Sequence, residues 1–76
     1  MVKAYIMVVT AAGTTHELLP EIEAIDGVTE ANAVAGDYDV IIEVEAEDLS
    51  AFLPTITDEL QGLSGVETTK TYITIS

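Results

Sequence analysis

The chain has 76 residues and carries 14 Asp and Glu side chains against two basic ones, Lys3 and Lys70, for a net charge of −12 at pH 7. This length predicts a single domain over residues 1–76. The acidic surface lacks the basic groups that displace counterions from phosphates, which argues against direct binding to nucleic acid or to an anionic membrane. The sequence shows neither a secretory leader nor an apolar run of membrane-spanning length, so we expect a cytoplasmic protein.

Hydrophobic residues make up 49% of the chain, which is too many for a disordered acidic tail. A hydrophobic core beneath a nearly uniform acidic surface is typical of adaptation to high salt, because at about 1 M salt the Debye length is roughly 3 Å and repulsion between carboxylates is screened. We therefore predict a halophilic protein. A surface adapted to a basic partner is the alternative.

The first half of the chain alternates between strand and helix patterns. Residues Val2 to Thr10 are rich in β-branched side chains and predict a strand. Thr14 and Glu17 fit a capping box at the start of a helix, and Gly27 ends that helix before a second strand over residues 28–35. The apolar stripe of the helix is formed by Leu18, Ile22 and Ile25.

The second half repeats this order of strand, helix and strand. The pair Gly36-Asp37 predicts a tight turn, with a positive φ at Gly36, into a third strand from Tyr38 to Ala46. Asp48 is suited to cap a second helix, whose end is marked by Gly62 and Gly65, before a last strand from Val66 to Ile75. The apolar stripe of the second helix is formed by Leu49, Phe52, Leu53, Ile56 and Leu60.

The two halves echo each other, since Leu19-Pro20 recurs as Leu53-Pro54 and Gly27-Val28 recurs as Gly65-Val66. Two such units with right-handed crossovers predict an α+β fold of the ferredoxin-like βαββαβ type, a four-stranded antiparallel sheet with two helices on one face. Each proline lies beyond the first turn of its helix, where it removes a backbone hydrogen bond. We therefore expect a kink or a later helix start at both prolines.

The first strand is apolar on both of its faces, although two helices can cover only one face of the sheet. An uncovered apolar face normally marks an interface, so we predict a dimer that forms through the sheet, with higher assembly of dimers beyond it. The residues predicted to lie in this dimer interface are Tyr5, Met7, Val9 and Ala33.

The sequence offers no set of catalytic groups. The only histidine, His16, falls in the first turn of a helix, where a solvated side chain is the ordinary interpretation. A small dimeric enzyme of this fold class is a more distant alternative; such enzymes commonly use a His or Arg lining the sheet, and the chain has no Arg. Asp37 and Asp39 lack the regular ligand ladder of a calcium loop. We therefore predict no enzyme, no cofactor and no metal site.

The segment from Val34 to Val40 is the most informative stretch of the sequence. It is interpreted either as a simple hairpin turn or as a turn whose backbone N–H groups and carboxylates bind a small zwitterion. In the second interpretation Asp39 would bind the ammonium group of the ligand.

Six short motifs follow one another along the chain: Ala4-Tyr5-Ile6, Gly27-Val28, Gly36-Asp37-Tyr38-Asp39, Asp48-Leu49, Gly65-Val66 and Thr69-Lys70-Thr71-Tyr72. With these motifs the whole chain resembles the effector-binding domain of the Lrp/AsnC family of feast-famine transcription regulators, the regulation-of-amino-acid-metabolism (RAM) domain. The resemblance implies that dimers assemble into rings and that an amino acid binds where dimers meet. The ligand-binding residues it implies are Gly36, Asp37, Tyr38 and Asp39 in the turn and Thr69, Thr71, Tyr72 and Thr74 on the last strand.

The resemblance also implies how such a domain would act. A typical member of the family begins with a DNA-reading helix-turn-helix, whereas here the first strand follows Met1 directly, so we expect a stand-alone domain or a fragment of a longer regulator. It would influence transcription by forming oligomers with full-length Lrp/AsnC regulators. The alternative is a purely structural oligomerisation module that binds no effector.

Overall fold

The computed structural model, which describes residues 1–75, has the element order predicted from the sequence. The elements are β1 (Val2–Thr10), α1 (Thr15–Glu23), β2 (Val28–Ala33), β3 (Val40–Ala46), α2 (Leu49–Gln61) and β4 (Val66–Ile73). The strands form one antiparallel sheet in the order β2-β3-β1-β4. The ferredoxin-like α+β fold is therefore confirmed.

Both helices pack against one face of the sheet. That face carries Ile6 of β1 and Ile42 of β3, which are completely buried together with Ile22 of α1 and Ile56 of α2. The predicted helical stripes account for this packing, because residues spaced three and four apart lie on the same side of a helix. The buried core consists of Ala4, Ile6, Val8, Leu18, Ile22, Ile25, Val40, Ile42, Val44, Leu49, Ile56 and Leu60.

The two helices begin differently, although both starts were predicted from capping residues. Asp48 caps α2 as expected, since its side chain accepts a hydrogen bond from the Ala51 N–H. The capping box predicted for α1 is wrong: Thr14 is the N-cap residue, but its side chain makes no capping hydrogen bond. The Thr14 hydroxyl instead donates to the Ala11 carbonyl at 2.7 Å, and this bond stabilises the turn that precedes the helix.

The prolines do not delay either helix, so of the two outcomes expected at these positions, a kink or a later start, the later start is wrong. Pro20 lies inside α1 and Pro54 inside α2. Each is the sixth residue of its helix, where the ring removes the hydrogen bond to the carbonyl four residues earlier. Those carbonyls belong to His16 and Ser50, which are exposed, so water can hydrogen bond to them.

The internal echo of the sequence is confirmed in the backbone. Gly27 and Gly65, which follow the two helices, both have positive φ, +96° and +102°. The second helix has 13 residues against 9 in the first, which is the additional turn expected from the spacing of the repeat. The strands around the hairpin are shorter than predicted, because β2 ends at Ala33 and β3 begins at Val40.

Candidate functional site

Asp39 connects the hairpin between β2 and β3 to β1 by hydrogen bonds. Its carboxylate Oδ2 accepts a hydrogen bond from the Thr10 N–H at 2.8 Å. Its own N–H donates to the Val8 carbonyl at 2.9 Å, and its carbonyl accepts from the Val34 N–H at 2.9 Å. Three backbone segments therefore meet at Asp39. We refer to this end of the sheet, defined by residues 34–39, as the hairpin end.

The rest of the hairpin is open to solvent. Gly36 and Asp37 are exposed, and Tyr38 is half-buried. The predicted tight turn is wrong in detail: six residues connect β2 and β3, and Gly36 does not have a positive φ. A longer loop relaxes the backbone constraint that a two-residue hairpin turn imposes, so the position does not require glycine. A side chain at position 36 would meet no atom within 4 Å.

The predicted ligand residues on β4 do not share one face of the sheet. Thr69 and Thr71 pair with Val8 and Ile6 and lie on the face covered by the helices, whereas Tyr72 pairs with Tyr5 on the opposite face. This separation follows from strand alternation, which places successive side chains on opposite faces. Tyr72 is about half-exposed, at 48%.

Thr74 lies at the end of the sheet opposite the hairpin. Its hydroxyl donates to the Lys3 carbonyl at 2.9 Å, and its N–H donates to the same carbonyl at 3.0 Å. It lies five positions after Thr69, which pairs with Val8 near the hairpin end, and this corresponds to roughly 17 Å along an extended strand. One chain therefore does not gather the predicted ligand residues at a single point.

The sheet face that the helices leave uncovered is the open face, formed by residues on all four strands. Tyr5, Met7 and Val9 of β1 lie on it and are half-buried by their neighbours. Ala33 does not belong to this face. It pairs directly with Val40, whose side chain points into the core, so its grouping with the three β1 residues is wrong.

The cause of this error is a register shift at the start of β2. Between Val28 and Glu30 the pairing with β3 shifts, so residues on either side of Thr29 no longer follow simple alternation. As a result Glu30 pairs with Glu43 and Asn32 pairs with Ile41 on the open face. Sequence reasoning missed both Glu30 and Asn32, because a bulge leaves no clear signal in the period-2 pattern.

A concavity of about 120 Å³ lies on the open face above β2 and β3. The residues that line it are Tyr5, Glu30, Asn32, Ile41 and Glu43. Glu43 contributes two further contacts: its Oε1 accepts a hydrogen bond from the Thr29 hydroxyl at 3.1 Å and lies 3.7 Å from the Lys3 ammonium. The floor of the concavity is therefore part apolar and part anionic.

Both lysines of the chain lie on the open face. Lys3 pairs with Glu45 across β1 and β3, and Lys70 pairs with Met7 across β1 and β4. The Lys70 ammonium is 6.0 Å from the centroid of the Tyr72 ring, which is within the range of a cation–π contact. Among residues 1–75, the single ion pair is that between Lys3 and Glu43.

The described residues also bear on metal binding and on membrane insertion. In residues 1–75, no three His, Asp or Glu side chains are grouped closely enough to hold a metal ion. Over the same range, neither helix has the length and apolar character needed to cross a bilayer.

The topology and the hydrogen-bonded hairpin define a small α+β domain with one helical layer, one open sheet face and a loop at the hairpin end. Residues 3–76 match the model of the Lrp/AsnC ligand binding domain. The chain belongs to this family.

Solved structures of similar proteins agree with this assignment. A hypothetical protein from Pyrococcus horikoshii is 37% identical, with a TM-score of 0.86, and the alignment covers 100% of this chain and 92% of that one. Escherichia coli AsnC is 25% identical with a TM-score of 0.85, over 99% of this chain and 51% of that one. A transcriptional regulator of Neisseria meningitidis, solved as a complex with L-methionine, shares the fold at 21% identity and a TM-score of 0.82, over 99% of this chain and 50% of that one.

One relative is an enzyme. A homocitrate synthase of Sulfolobus acidocaldarius is 37% identical over 57 residues, which is 75% of this chain and 12% of that protein. The chain thus spans only a small part of this curated relative, and similarity over that part does not transfer its catalytic activity.

Proposed function

We propose that this chain is a regulatory domain that binds a small amino acid at the hairpin end, self-associates through its open sheet face, and modulates transcription by assembling with full-length Lrp/AsnC regulators. The observation that carries the proposal is the match to the Lrp/AsnC ligand binding domain over residues 3–76. The complex of the Neisseria meningitidis regulator with L-methionine supports an amino acid as the class of ligand.

The chemistry of the hairpin end is consistent with this ligand class. Asp39 uses Oδ2 to bind the Thr10 N–H, which leaves Oδ1 available to an ammonium group. The carboxylate is half-buried and positioned by its own backbone hydrogen bonds, so little conformational entropy would be lost when a ligand binds. Because Tyr72 lies on the open face and Thr74 lies at the opposite end of the sheet, a complete site would need residues from a second chain, as expected for binding where dimers meet.

A purely structural oligomerisation module is the second candidate, and a specific observation favours it. Two of the polar groups assigned to the ligand already have partners within the chain: the Asp39 carboxylate binds Thr10, and the Thr74 hydroxyl binds the Lys3 carbonyl. The concavity of 120 Å³ lies on the open face and not at the hairpin end.

A thermal-shift screen of the twenty amino acids in multimolar KCl separates the two candidates. A ligand present at 100 times its dissociation constant stabilises the folded state by about 2.7 kcal/mol, which raises the melting midpoint by roughly 10 °C or more in a domain of this size. Asp39→Asn should abolish that shift, because the amide can still accept from the Thr10 N–H but no longer carries the charge. Asp26→Asn, an exposed residue at the opposite end of the sheet, is the matched control and should retain the shift. A screen in which no amino acid moves the midpoint would favour the structural module.

We also propose that the protein works in a cytoplasm of high ionic strength. The net charge of −12 on 76 residues supports this, because a dimer would bring two such charges together and dilute salt would not screen their repulsion.

A further inference from the structure

The carboxylates of this chain are unevenly distributed along the sequence. All 14 Asp and Glu residues lie between Glu17 and Glu67, so residues 1–16 and 68–76 contain none, and both lysines of the chain lie in these two end segments. The end segments supply β1 and most of β4, which are neighbours in the sheet. From residue 68 onward, β4 is therefore an edge of the sheet that carries no carboxylate.

The backbone of β4 has a neighbouring strand on one side only in the sheet that residues 1–75 form. The Thr74 N–H donates to the Lys3 carbonyl, so the backbone groups of Thr74 point towards β1. Because the backbone groups of successive residues point to opposite edges of a strand, those of Thr69, Thr71 and Ile73 point away from β1. These residues present a row of donors and acceptors at the edge of the sheet.

The other edge of the sheet is less suited to pairing with a further strand. β2 has six residues against eight in β4, and its pairing with β3 shifts beside Thr29. Glu30 adds a negative charge to that edge. In β4 the pairing with β1 shifts only at the start of the strand and is regular from Thr68 to Ile73, a stretch in which Lys70 is the single charged residue. Since bulges, short strands and charges are the features by which edge strands avoid pairing, β4 is the less protected edge.

We propose that β4 pairs with β4 of a second copy, antiparallel and about a two-fold axis at Thr71, so that two sheets join edge to edge. In this register Thr71 pairs with the partner's Thr71, and Thr69 pairs with the partner's Ile73, through the outward backbone groups. Lys70 lies opposite the partner's Tyr72, which adds to the cation–π contact that the two side chains make at 6.0 Å within one chain. Repulsion between like charges opposes the register that places Lys70 opposite the partner's Lys70.

Edge pairing is a contact separate from the self-association in the proposed function. It uses the outer side of β4 and leaves the open face uncovered, so both contacts can exist in one assembly. It also keeps the carboxylates of the two copies apart, because the residues that meet come from the segment without Asp or Glu.

Disulfide crosslinking tests this pairing, because the chain has no cysteine of its own. Residues paired in this way have Cα atoms about 5.5 Å apart, within the range that a disulfide spans. In multimolar KCl, Thr71→Cys should form a disulfide-linked dimer at least about tenfold faster than Thr55→Cys, the matched control at an exposed position of α2. Thr71 is half-buried on the helix side of the sheet, so neither random collision nor a contact through the open face would produce this difference. Equal rates would overturn the proposal.

Two further cysteine variants test the register. Thr69→Cys and Ile73→Cys should each fail to crosslink alone, because about 13 Å of strand separates each position from its counterpart, whereas a mixture of the two variants should crosslink. Crosslinking of either variant with itself would place the axis elsewhere on β4 and overturn the proposed pairing.

Thr71→Pro separates this contact from the one through the open face. Proline removes only the outward N–H at position 71, so β4 still pairs with β1, and circular dichroism should show an unchanged fold. In sedimentation equilibrium, Thr71→Pro should raise the dissociation constant of the edge contact about tenfold or more, because the two-fold axis doubles the loss of one hydrogen bond. Thr71→Val, which keeps the N–H, should stay within about threefold of the wild-type value.

The mass of the Thr71→Pro assembly distinguishes failure of this proposal from failure of the proposed function. An assembly of unchanged mass and affinity would overturn edge pairing. A larger wild-type assembly that Thr71→Pro reduces to a dimer supports both contacts. A variant reduced to a monomer supports edge pairing and contradicts self-association through the open face.

Discussion

Replacing Asp39 tests how far one carboxylate organises the hairpin end. Asp39→Ala removes the acceptor of the 2.8 Å hydrogen bond from the Thr10 N–H, and Thr10 is only 6% exposed. A hydrogen bond to a charged group contributes roughly 1.5–3 kcal/mol, and a donor left unpaired in a buried position keeps its desolvation cost. We therefore expect Asp39→Ala to lower the free energy of unfolding by about 2 kcal/mol and the melting midpoint by roughly 8–16 °C.

The assay is urea unfolding followed by circular dichroism, at one protein concentration and one KCl concentration, since self-association changes the apparent stability. Asp39→Asn should lower the free energy of unfolding by less than half as much as Asp39→Ala, because its amide oxygen can still accept a hydrogen bond from the Thr10 N–H. Asp37→Ala is the matched control: Asp37 is exposed two residues away, and none of the side-chain hydrogen bonds in residues 1–75 involves it. The role assigned to Asp39 is refuted if Asp39→Ala and Asp37→Ala unfold at the same urea concentration.

Three other predictions concern backbone, helix capping and salt. Gly27→Ala should destabilise the fold by about 2 kcal/mol or more, because φ is +96° and a Cβ would clash with the Phe52 ring. Gly36→Ala should leave the stability unchanged or raise it by up to about 1 kcal/mol. Equal thermal midpoints for the two variants would contradict this expectation. Asp48→Ala should cost about 1 kcal/mol through loss of the cap on Ala51, measured by urea unfolding, and an unchanged midpoint would show that the cap is dispensable. Raising KCl from about 0.1 to about 3 M should raise the thermal midpoint steadily, because the Debye length falls from about 10 Å to below 3 Å; a flat response would rule out adaptation to high salt.

The element order and the core were predictable because hydrophobic periodicity specifies them redundantly. Leu18, Ile22 and Ile25 repeat at helical spacing, and Ala4 and Ile6 occupy alternate positions of β1. All five side chains are buried. Changing any one of these residues would leave the overall pattern intact. The open face was predictable for the same reason, since the opposite side of β1 also carries apolar residues.

The details that failed depend on single hydrogen bonds or on single residues. The Thr14 hydroxyl donates to the Ala11 carbonyl, and it accepts no capping hydrogen bond from α1. The register shift beside Thr29 moves Ala33 to the helix side of the sheet. The bond from Thr10 to Asp39 joins residues 29 positions apart, and no local pattern signals it.

The two proposed activities meet on β1, and this has a thermodynamic consequence. At the hairpin end, the Val8 carbonyl accepts a hydrogen bond from the Asp39 N–H, and the Thr10 N–H donates one to the Asp39 carboxylate. The intervening Val9 lies on the open face, together with Met7. A ligand that shifts Asp39 would therefore displace the strand that presents the proposed dimer surface. If binding and assembly are coupled, linkage requires that an amino acid which tightens the dimer also bind the dimer more tightly than the monomer. With one site per protomer, the factor by which saturating ligand tightens the dimer equals the product of the affinity ratios of its two sites. Sedimentation equilibrium with and without the ligand, compared with ligand titrations at low and high protein concentration, measures the two factors independently; if both equal one, the hairpin end and the open face act independently.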